Sequence, residues 1–194
     1  DFDFIYVFWD GNNSGQRRFD IYPEYKGNRD KTYKDDNISS DYYKNIDNFC
    51  KRVLERKPKP VDPEKIKKKE LFHSERKIIQ EYLEELFVRQ VMCDEIEGDD
   101  LVAYYCLHKK ANERIVIVSG DRDLTQLLDI DDFICIYIPV MKKFITPKNH
   151  IEELGYCQKN VLIKKMICGD SSDNIKGIKG VGEKTFFDLI PEAK

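Results

Sequence analysis

The apolar positions of the chain change their period along its length, and each change marks an element. Phe4 to Asp10, FIYVFWD, is a continuous apolar run closed by an acid, the pattern of a strand buried on both faces of a parallel sheet. Charged and Tyr-rich sequence follows to about Lys59, with a helix expected over Ser39–Arg56 and a KPKP break after it. Asp62 and Pro63 suit the N-cap and first position of the next helix. That helix carries Leu71, Phe72, Ile78, Ile79, Tyr82, Leu83, Leu86 and Phe87 at helical spacing. Its first turns, EKIKKKE, are too basic for burial and read as a solvated face. From Val88 onward strands and helices alternate. FVRQVMC, RIVIVS and FICIYIP read as strands; GDDLVAYYCLHKK, DLTQLL, TPKNHIEEL (Thr146 as N-cap, Pro147 in the first turn) and QKNVLIKKMI read as helices. This order predicts an α/β fold: a mostly parallel sheet with helices on both faces.

Composition narrows the class. Of 194 residues, 41% are hydrophobic and 36% charged, which suits a soluble domain with a heavily charged surface and a cytoplasmic setting. No apolar run approaches the roughly 20 residues of a membrane span. The six cysteines include no C-x-x-C pair, so reduced thiols are expected and zinc is not. The three histidines lie in unrelated segments and receive no chemistry.

The acids follow the strand ends, where ligands of open parallel sheets bind. Asp10 closes the first strand. Glu97, Asp99 and Asp100 follow the second in EIEGDD, Asp121 and Asp123 follow the third in SGDRD, and Asp170 and Asp173 stand in GDSSD. Any one of these suits a helix cap or a turn; four groups are harder to read that way. Two carboxylates ~5 Å apart repel by ~3 kcal/mol at an effective dielectric near 20. Eight gathered on one edge therefore call for bound cations or for carboxyl groups driven neutral. Oxygen-only ligands select hard ions, Mg²⁺ or Mn²⁺, and suit two-metal phosphoryl chemistry. The formal charge of −3 becomes +5 once those eight acids are set aside, which removes the objection to a nucleic-acid partner.

GIKGVGEKT, Gly177 to Thr185, reads as a tight turn between two helices. Gly180 and Gly182 permit positive φ and expose backbone N–H groups, and Lys179 and Lys184 add charge, so the segment suits a phosphate. The longer pattern points to a helix–hairpin–helix that grips the DNA backbone without reading bases. YPEYKGNRDK supplies Tyr25, Lys26 and Arg29; read as more than a polar loop, it sets Lys26 and Arg29 against a scissile phosphate.

FWDG, YPEYKGNR, EIEGDD, SGDRDLTQL and GDSSDNIKGIKGVGEKT, in this order, resemble the flap endonuclease family. The nearest likeness is to bacteriophage and bacterial 5′→3′ exonucleases, including the nuclease domain attached to bacterial DNA polymerase I. The resemblance implies a structure-specific, metal-dependent nuclease for 5′ flaps and for nicked or branched DNA, with RNA primers also in reach. Asp10, Glu97, Asp99 and Asp100 would belong to one metal site, and Asp121, Asp123, Asp170 and Asp173 to a second. Lys26 and Arg29 would be the catalytic basic pair. Tyr25, Gly177, Lys179, Gly180, Gly182, Lys184 and Thr185 would bind DNA, with K⁺ at the hairpin. Residues 1–194 would form one nuclease domain, with a helical arch inserted over 30–87 and the hairpin region over 157–194. Family members begin with a further strand ending in a metal-binding Asp, so a preceding segment or a second polypeptide is expected to complete the sheet. Two other readings stand beside this one: a non-catalytic binder of branched DNA with an incomplete metal site, and a PIN-type ribonuclease, against which the glycine hairpin argues.

Overall fold

The computed structural model describes residues 2–27 and 63–194. The chain divides into two compact units, Asp1–Asn28 with Arg89–Lys194, and Arg29–Val88.

In the first unit, β1 (Tyr6–Asp10) runs parallel to β2 (Arg89–Cys93), pairing Tyr6 with Arg89 and Asp10 with Cys93. The pleat sorts their side chains. Tyr6 and Phe8 meet Tyr105 of α3 (Gly98–Leu107; α1 and α2 are given below), with ring centroids 5.0 and 6.0 Å apart. Trp9 points the other way, and its indole N–H donates to Gln90 on β2 at 2.9 Å. β1 is therefore half-buried, not covered on both faces as its unbroken apolar run suggests.

A second ladder carries the core. β3 (Ile115–Val118) is parallel to β4 (Ile134–Ile138), and β5 (Lys143–Ile145) adds antiparallel to β4. β4 alternates, with Ile134, Ile136 and Ile138 buried and Cys135 and Tyr137 half-buried. The 3-10 helix Arg122–Asp129 turns Leu124, Leu127 and Leu128 onto those isoleucines, and α3 adds Cys106. Each such side chain contributes ~1.5–3 kcal/mol on burial. This core fixes the ends of β3 and of the 3-10 helix, where SGDRD lies. Among the described strands the β1–β2 and β3–β4–β5 ladders are separate.

Thr146 does not cap α4 (His150–Leu154). Its N–H donates to Asn149 Oδ1 at 2.7 Å, so Thr146–Asn149 is a turn and the helix begins after Asn149. α5 (Val161–Cys168) leads into a hairpin of β6 (Gly169–Asp170) and β7 (Ile175–Lys176), followed by α6 (Glu183–Leu189). The hairpin closes because Gly169, which opens β6, and Gly177, which follows β7, both lack a side chain. A Cβ on Gly169 would stand 2.4 Å from the Gly177 nitrogen, and one on Gly177 2.2 Å from the Cys168 carbonyl carbon.

In the second unit, α2 (Pro63–Glu85) ends where Phe87 takes φ +57° and the Val88 N–H donates to Leu83 O at 2.9 Å. Leu71, Phe72, Ile78, Ile79, Tyr82, Leu86 and Phe87, expected at helical spacing, are largely exposed. The helix expected over Ser39–Arg56 and the Asp62 cap lie outside the described residues. Among the described residues no helix is long and apolar enough to cross a membrane.

Candidate functional site

The first acidic constellation is built where β1 and β2 end. The Gly11 N–H donates to Ile96 O at 3.0 Å, and a Cβ at Gly11 would fall 1.7 Å from Cys93 O, so FWDG needs its glycine for this approach. Asp10 Oδ1 accepts from the Gly98 N–H at 2.7 Å, at the start of α3, where unpaired amides favour a negative charge. Gly98 is confined in turn: a Cβ there would stand 3.3 Å from both Asp10 Oδ1 and Phe8 O.

One residue before Gly98, Glu97 is buried, and three side chains compensate it. Lys26 Nζ reaches both oxygens at 2.9 and 3.1 Å, Arg18 Nη1 reaches Oε2 at 2.8 Å, and the Tyr25 hydroxyl stands 3.2 and 3.3 Å from the two. A buried carboxylate needs such partners, since an unpaired charge there costs several kcal/mol. Arg18, on α1 (Gln16–Ile21), also pairs with Asp100 at 2.7 Å and stands 3.9 Å from Asp99. Burial pushes the Asp99 carboxyl above its usual range; Asp100 and Glu97 add to that, and Arg18 only partly opposes it.

The second constellation joins SGDRD to GDSSD. Asp121 Oδ1 accepts from the Asp123 N–H at 2.8 Å and caps the 3-10 helix. Lys165, on α5, contacts Asp123 Oδ2 and Asp170 Oδ2 together. Asp170 Oδ1 accepts from the Ser172 N–H at 2.9 Å and from its hydroxyl at 2.6 Å. Burial raises the Asp170 carboxyl, but Lys165 and Ser172 outweigh it and hold the group down to about 2. For Asp123 burial wins over the same lysine, and the carboxyl lies above its usual range.

The Tyr22–Gly27 turn is tied to the hairpin that carries Asp170 and Asp173. The Lys26 N–H donates to Asp173 O at 2.9 Å, Asn174 Nδ2 to Glu24 O at 2.9 Å, and the Tyr22 hydroxyl to Asn174 O at 3.0 Å. Lys26 takes φ +51° in this turn, and its side chain projects to Glu97. An open cleft of about 490 Å³ lies here, with Arg18, Tyr22, Tyr25, Asp173 and Lys176 in its walls.

The expected gathering of eight carboxylates on one edge does not appear in this form. Among the described residues no three or more His, Cys, Asp or Glu side chains stand together as a metal-holding group. Five of the acids are paired with the chain's own cations, Glu97, Asp99 and Asp100 with Arg18 or Lys26 and Asp123 and Asp170 with Lys165, while Asp173 lines the cleft beside Arg18 and Tyr25. Repulsion is thus relieved by a third route beside bound metal and neutral carboxyls. Tyr25, expected to face DNA, is 5% exposed and bonds Glu97. Arg29 lies outside the described residues. In the hairpin segment Gly180 takes φ +85°, whereas Gly182 sits at φ −93° as N-cap of α6, a conformation open to any residue. Lys179, Lys184 and Thr185 are exposed, and Gly177 is half-buried. Arg18 and Lys165 were not singled out by sequence; each stands beside a second basic residue, Arg17 and Lys164, and helix register alone separates the two.

Comparison with known proteins places the chain. Residues 2–155 match the family model of the 5′-3′ exonuclease N-terminal, resolvase-like domain. DNA polymerase I of Streptococcus pneumoniae (strain ATCC BAA-255 / R6) is 35% identical over 126 residues, 62% of this chain and 14% of the polymerase. A 5′-3′ exonuclease of Mycoplasma pneumoniae is 34% identical over 119 residues, 59% of this chain and 41% of that protein. The chain thus spans less than half the length of these relatives. In fold it is similar to a flap endonuclease of bacteriophage T5, solved as a pseudo-enzyme–product complex with DNA and metal ions. The TM-score is 0.70 at 22% identity, over 98% of this chain and 60% of the phage protein. On the family match, which covers most of its length, this chain belongs to the 5′-3′ exonuclease N-terminal, resolvase-like domain family.

Proposed function

We propose that this chain is a metal-dependent 5′-nuclease unit that hydrolyses phosphodiester bonds in branched or nicked DNA, including 5′ flaps and RNA-primed ends, in the replication and repair setting of its polymerase relatives. The observation that carries the reading is the convergence of Asp123 and Asp170, from distant segments, on one cationic nitrogen. That oxygen-only donor set fits a hard divalent ion, Mg²⁺ or Mn²⁺. Asp121 and Asp173 complete the set of candidate ligands, and Asp10, Glu97, Asp99 and Asp100 form the candidates for a second ion. When bound, such ions would polarise the phosphoryl oxygens and lower the pKa of a water nucleophile.

The chain's own residues do the rest. Lys26, paired with Glu97 from a turn locked to the hairpin, would be the group that neutralises charge developing on a phosphate. Arg29 would act with it. Tyr25 and Arg18 hold Glu97 in place. Gly180, Gly182, Lys179, Lys184 and Thr185 would engage backbone phosphates as a helix–hairpin–helix, with K⁺ bound at the turn. Residues 30–87 would serve as the arch for a single-stranded 5′ end. The β1–β2 and β3–β4–β5 ladders would belong to one mostly parallel sheet.

The test is Mg²⁺- or Mn²⁺-dependent cleavage of a 5′-flap DNA, with matched RNA flaps beside it. Asp121→Asn with Asp123→Asn should abolish cutting and leave DNA binding within a few fold; full activity in that double variant overturns the metal assignment. The alternative, a non-catalytic binder of branched DNA, is not favoured by the comparisons. Tight flap binding without cleavage in either metal would establish it.

A further inference from the structure

Lys165 has no part in the reaction above, yet the second constellation is assembled on it. Its Nζ contacts Asp123 Oδ2 and Asp170 Oδ2 at once, although one acid follows β3 and the other opens the hairpin. The pair is partly shielded, with the lysine side chain 27% exposed and that of Asp170 10% exposed. An ammonium is a compact point charge with three donors, so it can serve two carboxylates together. An ion bound by the same two oxygens at ~2.0–2.1 Å would need the space this nitrogen fills. Both cations cannot stand there. The neighbouring Lys164 turns away, to Glu183 Oε1 at 2.6 Å and over the Tyr156 ring.

We propose that Lys165 is a tethered counter-ion for the Asp123–Asp170 pair. It holds the two acids together in the metal-free protein and yields the position when a divalent ion enters. This rests on the metal-dependent reading above. The exchange raises the charge at the site by one unit instead of two, so the metal-free site stays folded and the ion remains exchangeable. Entry breaks two charge-assisted bonds, which weakens metal affinity by roughly 10- to 100-fold relative to a site without the lysine. Lys165 is therefore a positioning residue that tunes metal affinity.

The test is Mn²⁺ titration calorimetry on the free protein, without DNA, comparing wild type with Lys165→Met, Lys165→Gln, Lys164→Met and Asp123→Asn/Asp170→Asn. Both Lys165 variants should bind Mn²⁺ roughly 10- to 100-fold more tightly and melt at lower temperature without metal. Lys164→Met should match wild type, and the double Asn variant should lose the binding. Unchanged or weaker affinity in both Lys165 variants, with binding still lost in the double Asn variant, overturns the counter-ion while leaving the metal reading intact. No Mn²⁺ uptake by any form overturns both. Should neither Lys165 variant fold, the wild-type NMR signal of the Lys165 ε-methylene, followed under Mg²⁺ addition, decides: a shift supports displacement, and an unmoved signal at saturation refutes it.

Discussion

Gly11→Ala tests whether the strand-end geometry that presents the first acids is as tight as it looks. An added Cβ would meet Cys93 O at 1.7 Å, its carbon at 2.5 Å and Asp94 Cα at 2.9 Å. Ordinary carbon–oxygen contact needs over ~3 Å, so β1 and β2 would have to part by ~1.5 Å at the residues that carry Asp10 and lead to Glu97. All three obstructing atoms belong to backbone, so no rotamer change relieves the overlap. The cost should reach about 3 kcal/mol or more, a large share of a domain's ~5–15 kcal/mol. For a chain of this size that is a fall in melting temperature of about 6–12 °C. Gly120→Ala is the internal control: it lies in the neighbouring SGDRD segment, and its Cβ would meet nothing within 4 Å. It should stay within about 2 °C of wild type. Thermal and urea unfolding of the two variants side by side provide the assay, with flap cleavage as the second readout. A displacement of ~1 Å at a reacting centre commonly costs ~100-fold in rate, so any folded Gly11→Ala protein should cut poorly. A Gly11→Ala protein within 0.5 kcal/mol of wild type and fully active would refute the account of how FWDG meets EIEGDD.

Tyr25→Phe removes the hydroxyl 3.2 Å from Glu97 and nothing else, so it should cost about 1–2 kcal/mol, lower the cleavage rate and leave flap-DNA affinity within twofold. A tenfold loss of affinity at unchanged stability would instead return Tyr25 to the DNA surface. His150 is fully buried, and burial, with Lys164 adding, pulls its imidazole below the usual range despite the Tyr156 carbonyl. The unfolded chain then takes up a proton that the folded chain refuses, so stability should fall as pH drops below about 6.5. His150→Gln should flatten thermal stability between pH 7 and 5; an unchanged slope would show that another group sets it. Chelation should stop cleavage but move the melting temperature of the metal-free protein by less than about 2 °C, because Arg18, Lys26 and Lys165 already compensate the acids. Unfolding on chelation would show that metal, and not these cations, holds the site.

Much of this site was legible because the motifs sit where the backbone is most constrained. Asp10 closes an apolar strand, and Gly11, Gly169 and Gly177 occupy positions where a single carbon would collide with the chain. Such positions announce themselves as acid–glycine punctuation between apolar runs. Lys26 stood out in YPEYKGNRDK, but Arg18 and Lys165 did not. In QRRFD and LIKKMI two basic residues stand side by side, and a rotation of about 100° per residue sends one to the acids and the other away. Choosing between them requires the helix start to one residue and the position of partners more than forty positions distant, as between Lys165 and Asp123. The burial of β1 was also hidden, because an unbroken apolar run does not say how many layers cover it; Trp9 bonded to Gln90 and Tyr6 set on Tyr105 show a strand with one aromatic face and one amphipathic face.

The repulsion argument survives in altered form. Carboxylates crowded at strand ends do need positive charge, and at ~3 kcal/mol per close pair the fold could not carry them bare. The chain supplies that charge itself, from α1, from the Tyr22–Gly27 turn and from α5, each delivering a cation to acids on other elements. These contacts stitch residues 18–26 to 97–100 and residue 165 to 123 and 170, so the same ion pairs that neutralise the site also set its tertiary geometry. A site organised this way keeps its shape before any ion arrives. On the proposed metal-dependent reading, divalent metal would be required by the chemistry and not by the fold, and an ion that entered by exchange with a tethered ammonium could also leave.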